Sequence, residues 1–276
     1  MPGDPDPLYV AARRVLLDAL GALEPHLKAL VLVGAQAVYI HAGEADLAVA
    51  PYTTDGDLAI DPRRLEPKPL LEVSLRRAGF TLLGEAVGIW QASVDVEGVR
   101  REIGVDLLVP ESLGGAGRRA ARIPPHGSRV ARKVAGLEGA LVDCELHPLG
   151  ALDPADKRQF ELTVAGPAAL IVAKVHKITE RKGDADRRSD KDALDVYRLL
   201  RAVATETLAQ RFGTLLADPL SRRAVEAARA QLAQLFGRVN APGTQMAVRA
   251  AEPFEDADTL AASIAALTED LLNSLA

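Results

Sequence analysis

Tyr52-Thr53-Thr54-Asp55-Gly56-Asp57-Leu58-Ala59-Ile60 decides how the first half of this chain is read. Two carboxylates spaced by two lead into a short apolar run, which Asp61-Pro62 closes. The run predicts a strand over residues 57–60. Strand side chains alternate, so Asp55 and Asp57 project to one side. Two like charges side by side repel unless a cation sits between them. Mg²⁺ (or Mn²⁺) takes hard oxygen ligands, typically one or two carboxylates plus substrate phosphates. The pair is therefore a candidate metal seat with room for a nucleotide. The bland alternative is a turn in which the aspartates cap the backbone.

Upstream, residues 29–33 form an apolar run ending at Gly34. A buried strand is expected there, then a short helix over 36–41 opened by that glycine. A strand, a small-residue turn and a helix N-terminus make a backbone nest for phosphates, with Gly34, Ala35 and Thr54 as nucleotide-binding candidates. Downstream, Gly104-Val105-Asp106-Leu107-Leu108-Val109 places a third carboxylate in an apolar strand. An aspartate there is costly unless something pairs with it. If this strand lies beside that of Asp57, three carboxylates converge, as two-metal phosphoryl transfer requires. Asp106 is then a metal ligand or the group that activates the acceptor hydroxyl; by itself it also reads as a strand-end residue.

Further elements follow from periodicity and breakers. Helices are expected over 8–27 and 69–78, and strands over 80–83, 88–94, 102–109, 140–149 and 159–164. Residues 43–54 read as a loop. Residues 110–139, rich in Gly, Pro and Arg, read as a long loop or mobile flap. From Gly166-Pro167 onward the chain is almost wholly helical, over 167–181, 190–204, 206–216, 220–236 and 257–275. The fold class is α/β with a mixed sheet, over residues 1–165, followed by a helical C-terminal domain over 166–276, with a cleft expected between the two.

Composition narrows the function. Among 276 residues, 48% are hydrophobic but only 4% aromatic, so Leu, Val and Ala must fill the core. A net charge of −5 argues against a general nucleic-acid coat. A local basic segment survives that argument: Arg118, Arg119, Arg122, Arg129, Arg132 and Lys133 form either a solvated loop or an RNA-binding stretch. The single cysteine, Cys144, excludes an internal disulfide and a thiolate metal site, and a buried structural role is expected. No histidine spacing reads as a zinc site. The first seven residues lack the pattern of a signal peptide, and no apolar run reaches the ~18 residues of a membrane span, so a cytoplasmic protein without a membrane partner is expected.

In the helical half, Lys174 falls within the stripe of Leu170, Ile171, Val175 and Ile178, at about 100° per residue. Asp192 falls near the stripe of Ala193, Val196, Leu200 and Val203. Lys177 lies further out, and Asp195 is expected to lie outside as well, paired with Lys191 at i,i+4. Charges on an apolar face are rarely left unpaired. Lys174 and Asp192 are therefore functional candidates, or else a structural ion pair with each other. The intervening stretch, 180–188, reads as a solvated turn that can offer Arg181, Lys182, Arg187 or Arg188 to phosphates.

Leu32-Val33-Gly34-Ala35 and Thr54-Asp55-Gly56-Asp57-Leu58 resemble the signature of polymerase-beta-like nucleotidyltransferases. Ala173-Lys174-Val175-His176-Lys177 with Lys191-Asp192-Ala193-Leu194-Asp195-Val196-Tyr197 resembles the lysine helix and Lys-Asp-x-x-Asp pattern of AbiEii-type (MenT-type) toxins. The matches span roughly positions 29 to 200. Two departures stand out: Ala35 replaces the usual Ser or Gly, removing a hydroxyl, and the gap from Gly34 to Asp55 is longer than in the tightest members. The resemblance implies a polymerase-beta-like domain that transfers a nucleoside monophosphate from an NTP to an acceptor, with release of pyrophosphate. It implies that Asp55 and Asp57 hold Mg²⁺, that Lys174 neutralises triphosphate charge, and that Asp192 orients Lys174 or the acceptor. It further implies a tRNA 3′ end as acceptor and the toxin of a toxin–antitoxin pair, with a cognate antitoxin as partner. A small-molecule acceptor of the antibiotic-modifying kind, or a non-catalytic nucleotide- or partner-binding module, are the competing expectations.

Overall fold

The computed structural model describes residues 5–43, 52–181 and 187–275. The chain divides into two compact units. The first comprises Met1–Gln36, Pro51–Val134 and Glu145–Val164; the second comprises Ala37–Ala50, Ala135–Cys144 and Ala165–Ala276. The last crossing lies between Val164 and Ala165. Two short stretches of the first half, 37–50 and 135–144, belong with the helical unit, which no local pattern announces.

The first unit is α/β, built on a mixed eight-stranded sheet. It opens with α1 (Pro7–Ala22), where the Asp6 side chain accepts the Leu8 N–H at 2.8 Å and Pro7 takes the first helical turn. The helix stops five residues short of the expected Leu27. Pro25 cannot donate to the ladder and disfavours helix in the residue before it, so a 3-10 turn, Glu24–Ala29, takes over. The strands are β1 (Leu30–Val33), β2 (Asp55–Ile60), β3 (Thr81–Leu82), β4 (Ile89–Val96), β5 (Val99–Pro110), β6 (Arg132–Val134), β7 (Cys144–Gly150) and β8 (Gln159–Ala165). Their order is β3-β4-β5-β2-β1-β8-β7, with β6 beside β5. β2 runs antiparallel to β1 and parallel to β5, so it lies mid-sheet. Helices α2 (Gly34–Ala42) and α3 (Leu71–Arg77) complete the first half.

α1 packs on β2, β4 and β5 through a face that includes Val15, Leu16 and Leu20. Gly56 lies directly beneath it: a Cβ there would stand 3.1 Å from Leu16 Cδ1. The face of β2 that carries Gly56 therefore turns to α1, and the face that carries Asp55 and Asp57 turns away from it.

The segment expected as a long loop or mobile flap is largely loop, but it is anchored. Arg132–Val134 adds a strand to β5, Ala120 bridges to Arg132, and Ala121, Ile123, Val130 and Ala131 are buried. Its apolar residues are isolated among Gly, Pro and Arg, so no periodicity marks them. The strand expected over 140–149 starts later, at Cys144, after a 3-10 turn over Glu138–Leu141. Residues 44–51 of the expected loop lie outside the described residues.

The second unit carries α4 (Pro167–Glu180), α5 (Arg187–Ala202), α6 (Thr205–Ala217), α7 (Arg222–Phe236), α8 (Pro242–Ala251) and α9 (Ala257–Ser274). α8 has no counterpart among the expected helices, because its buried face is built of small residues rather than large apolar ones: Gly243, Thr244, Ala247, Val248 and Ala251. α5 packs against α4, α8 and α9, and every residue from 192 to 200 is buried. Among the described residues no helix is long and apolar enough to cross a membrane.

Candidate active site

Register brings the sequence-predicted carboxylates of the first unit into one row. Asp57 on β2 is the direct partner of Asp106 on the parallel strand β5, and of Val33 on β1. Asp55 pairs with Gly104 one step along the same face. Asp55, Asp57 and Asp106 thus share the face turned away from α1, and all three are half-buried.

Two glycines cut this face to fit. Gly34, the first residue of α2, has φ +69°, and a Cβ on it would lie 1.9 Å from Asp57 Oδ2. A side chain is excluded twice, by the left-handed backbone and by the carboxylate. Asp57 is thereby seated against the N-terminus of α2, the positive end of that helix. Gly104 gives Asp55 room: its added Cβ would stand 3.6 Å from Asp55 Cβ.

Buried polar groups hold Asp55 in place. Thr53 Oγ1 donates to Asp55 Oδ1 at 2.6 Å, and Gln36 Nε2 donates to the Asp55 carbonyl at 2.9 Å. Gln36 Oε1 accepts in turn from Arg13 Nε at 2.7 Å, and Arg13 Nη1 donates to the Gly150 carbonyl at 2.9 Å. Burial pulls the Arg13 guanidinium below its ordinary range, against the opposing pull of Tyr9. The sequence pointed to Thr54, which is exposed; Thr53 makes the contact. Extending the period-two pattern one step back from Asp55 finds Thr53. Gln36 and Arg13 had no comparable signal, since each acts across 19 or more residues of chain.

Asp106 is engaged differently. Arg132 Nη2 donates to its Oδ2 at 2.6 Å, the carboxylate side chain being 13% exposed. Among the described residues no group of three or more His, Cys, Asp or Glu side chains is arranged to hold a metal ion. The three carboxylates meet in register, but a guanidinium stands at the third. The remaining donor set, Asp55 and Asp57, fits a hard divalent cation that completes its shell with water and phosphate oxygens.

The second unit holds its own charge cluster. Lys174 Nζ donates to Asp192 Oδ1 and to Asp195 Oδ2, each at 2.6 Å, and all three side chains are buried. Lys177 and Arg181 reach Asp192 at 3.3 and 3.1 Å. Arg198 stands 3.9 Å from Asp195 and over the Tyr39 ring. Burial works to lower the Lys174 pKa, but the two carboxylates prevail and push it above its ordinary value. Burial likewise opposes ionisation of Asp192, yet Lys174, Lys177 and Arg181 hold it down to about 2. Asp195 was expected on the outer side of its helix beside Lys191; it is a buried partner of Lys174. The helical wheel assumes a solvent-facing side, and α5 has none over 192–200.

The basic segment separates into two sets. Arg132 pairs with Asp106, Lys133 Nζ donates to the carbonyls of Gly115 and Gly117, and Arg129 binds Glu85 and the carbonyls of Gly84 and Ala86. Arg118, Arg119 and Arg122 are exposed. In the second unit, Lys182 and the side chains of Arg187 and Arg188 lie outside the described residues. A groove lined by Val142, Asp143, Cys144, Thr207, Gln210, Arg211 and Thr214 also lies there. Asp143 is committed in it, accepting from Ala169 N at the first turn of α4 and from Arg211 at 2.6 Å. Cys144, expected to be buried, is half-buried at its edge.

No protein-family model, curated protein or solved structure matches this chain.

Proposed function

We propose that the chain is a divalent-metal-dependent nucleotidyltransferase with a polymerase-beta-like first unit. It transfers a nucleoside monophosphate from an NTP to a hydroxyl acceptor and releases pyrophosphate. The observation that carries this reading is the seat of Asp57 against Gly34. A carboxylate pair on one strand meets a glycine-opened helix N-terminus so closely that no side chain fits between. That juxtaposes cation ligands with backbone N–H groups suited to phosphate.

Asp55 and Asp57 would hold Mg²⁺, which supplies charge neutralisation at the triphosphate. Thr53 and Gln36 keep Asp55 in register, so little reorganisation is needed when substrate arrives. The acceptor oxygen forms a bond to the α-phosphorus, the bond from that phosphorus to pyrophosphate breaks, and the hydroxyl proton passes to solvent water. Positioning and electrostatics account for most catalysis of this kind. Lys174 takes the structural one of the two roles left open by the sequence, since both of its short contacts are to buried carboxylates.

The proposed acceptor is an RNA, a tRNA 3′ end in the reading suggested by the toxin-like motifs. A toxin role with a cognate antitoxin belongs to the same proposal. Exposed Arg118, Arg119 and Arg122, three cations within five residues, support it. A small-molecule acceptor is the second reading, favoured by the fact that Arg129, Arg132 and Lys133 are already occupied. Incubation with each labelled NTP and total RNA tests the reaction: label should enter RNA in a Mg²⁺-dependent manner. Label entering no RNA, but entering small hydroxyl compounds, selects the second reading. No transfer to either contradicts the enzyme. For the RNA reading, reversing the charge of Arg118, Arg119 and Arg122 should weaken tRNA binding and flatten its salt dependence while leaving NTP affinity nearly unchanged.

A further inference from the structure

Two-metal phosphoryl transfer places its ions about 3.5–4 Å apart, flanking the attacking and leaving oxygens. Asp57 and Asp106 stand on neighbouring strands in direct register, on one face of the sheet. The position beside Asp106 is already filled by a cation belonging to the chain: Arg132 Nη2 lies 2.6 Å from Oδ2.

We propose that Arg132 is a built-in cation at the third carboxylate. It limits the site to one divalent ion and supplies a fixed positive charge where a second ion would otherwise stand. This rests on the nucleotidyltransferase reading above.

The guanidinium is suited to that task. Its bond to a carboxylate is charge-assisted, and its planar fork offers further donors. Its backbone is fixed from several sides. Arg132 pairs with Leu108 of β5 and bridges to Ala120. Gly88, at φ +72°, packs so close that a Cβ would meet Arg132 N at 2.5 Å. The head group is not used up by Asp106. The side chain is 34% exposed, and among the described residues its buried Nε has no hydrogen-bond acceptor. The exposed part of the side chain can donate to an anionic ligand. Arg132 is a positioning residue toward Asp106 and a charge-neutralising one toward a phosphate.

Counting bound Mn²⁺ by electron paramagnetic resonance, with a non-hydrolysable NTP analogue, tests this without activity. Wild type should saturate at one Mn²⁺ per chain. Arg132→Met should release Asp106 and bind two, and adding Asp106→Asn to it should return the count to one. Arg132→Lys, which keeps the charge, should stay at one. Asp106→Asn alone should change Mn²⁺ affinity by less than about threefold, whereas Asp57→Asn should abolish binding. A wild-type count of two, a folded Arg132→Met still at one, or a loss of more than tenfold in Asp106→Asn overturns the proposal. The last arm decides even if Arg132→Met does not fold. A wild type that binds no Mn²⁺ with nucleotide present instead sinks the nucleotidyltransferase reading, and this inference with it.

Discussion

Asp55 and Asp57 stand half-buried on a sheet face cleared by Gly34 and Gly104, with Thr53 and Gln36 as neutral partners. Asp192 and Asp195 stand fully buried between helices, surrounded by Lys174, Lys177, Arg181 and Arg198. The first pair is given room, with neutral hydrogen-bond partners at Asp55 and a helix N-terminus at Asp57; the second is given cations and no room. Like charges set side by side repel, and a cation arriving between them relieves that repulsion. Charges neutralised in the core are complete without a ligand. The first arrangement suits function and the second suits stability, although both appear in the sequence as an Asp spaced from another Asp by a few residues.

The contrast predicts opposite phenotypes. The largest effect on stability should come from Lys174→Met, which strands two buried carboxylates; the expected loss is about 3–5 kcal/mol in urea unfolding. Lys177→Ala, whose side chain is 39% exposed, should cost no more than ~1 kcal/mol. Equal effects of the two would mean that the buried cluster is not a unit. In the other region, Gly34→Ala should cut nucleotide transfer by ~10²-fold or more, the scale of losing one preorganised electrostatic group. The new Cβ must displace Asp57, and the folded-state cost of a left-handed alanine is only about 1–2 kcal/mol. A Gly34→Ala protein with undiminished transfer would detach Asp57 from the chemistry.

How far each region was legible follows from the range of its contacts. The period-two carboxylates, the glycine after β1 and the helical second half are local patterns, and the structure carries them as expected. Asp106 beside Asp57 required a guess at strand order, and the parallel pairing of β2 with β5 meets it. Arg132 at Asp106 and Arg13 behind Gln36 arise from contacts 26 and 23 residues apart, between segments with no shared periodicity. Asp195 was misread because amphipathic reasoning needs a wet face, and α5 is enclosed over 192–200.

A smaller effect comes from pH. Asp192 is held from 3.8 down to about 2 in the folded protein. A depressed carboxylate stabilises the fold above its unfolded pKa and loses that contribution as pH falls through the folded value. Wild-type stability should therefore drop between pH 4 and pH 2, and Asp192→Asn should flatten that part of the profile while lowering stability at pH 6. An unchanged acid limb in the variant would show that Asp192 does not carry the cluster's charge.

The most direct test sets Asp57→Asn beside Asp192→Asn and measures two quantities on each, Mg²⁺-dependent nucleotide transfer and urea unfolding. Asp57→Asn should lose transfer by orders of magnitude, with its unfolding midpoint moved far less than that of Asp192→Asn, because Asp57 is half-buried and Asp192 lies in the core. Asp192→Asn should unfold at clearly lower urea, with its transfer, measured where it is folded, reduced far less. If Asp57→Asn transfers nucleotide like wild type, or if Asp192→Asn is as stable as wild type yet inactive, the assignment of function to the sheet and stability to the helices is wrong.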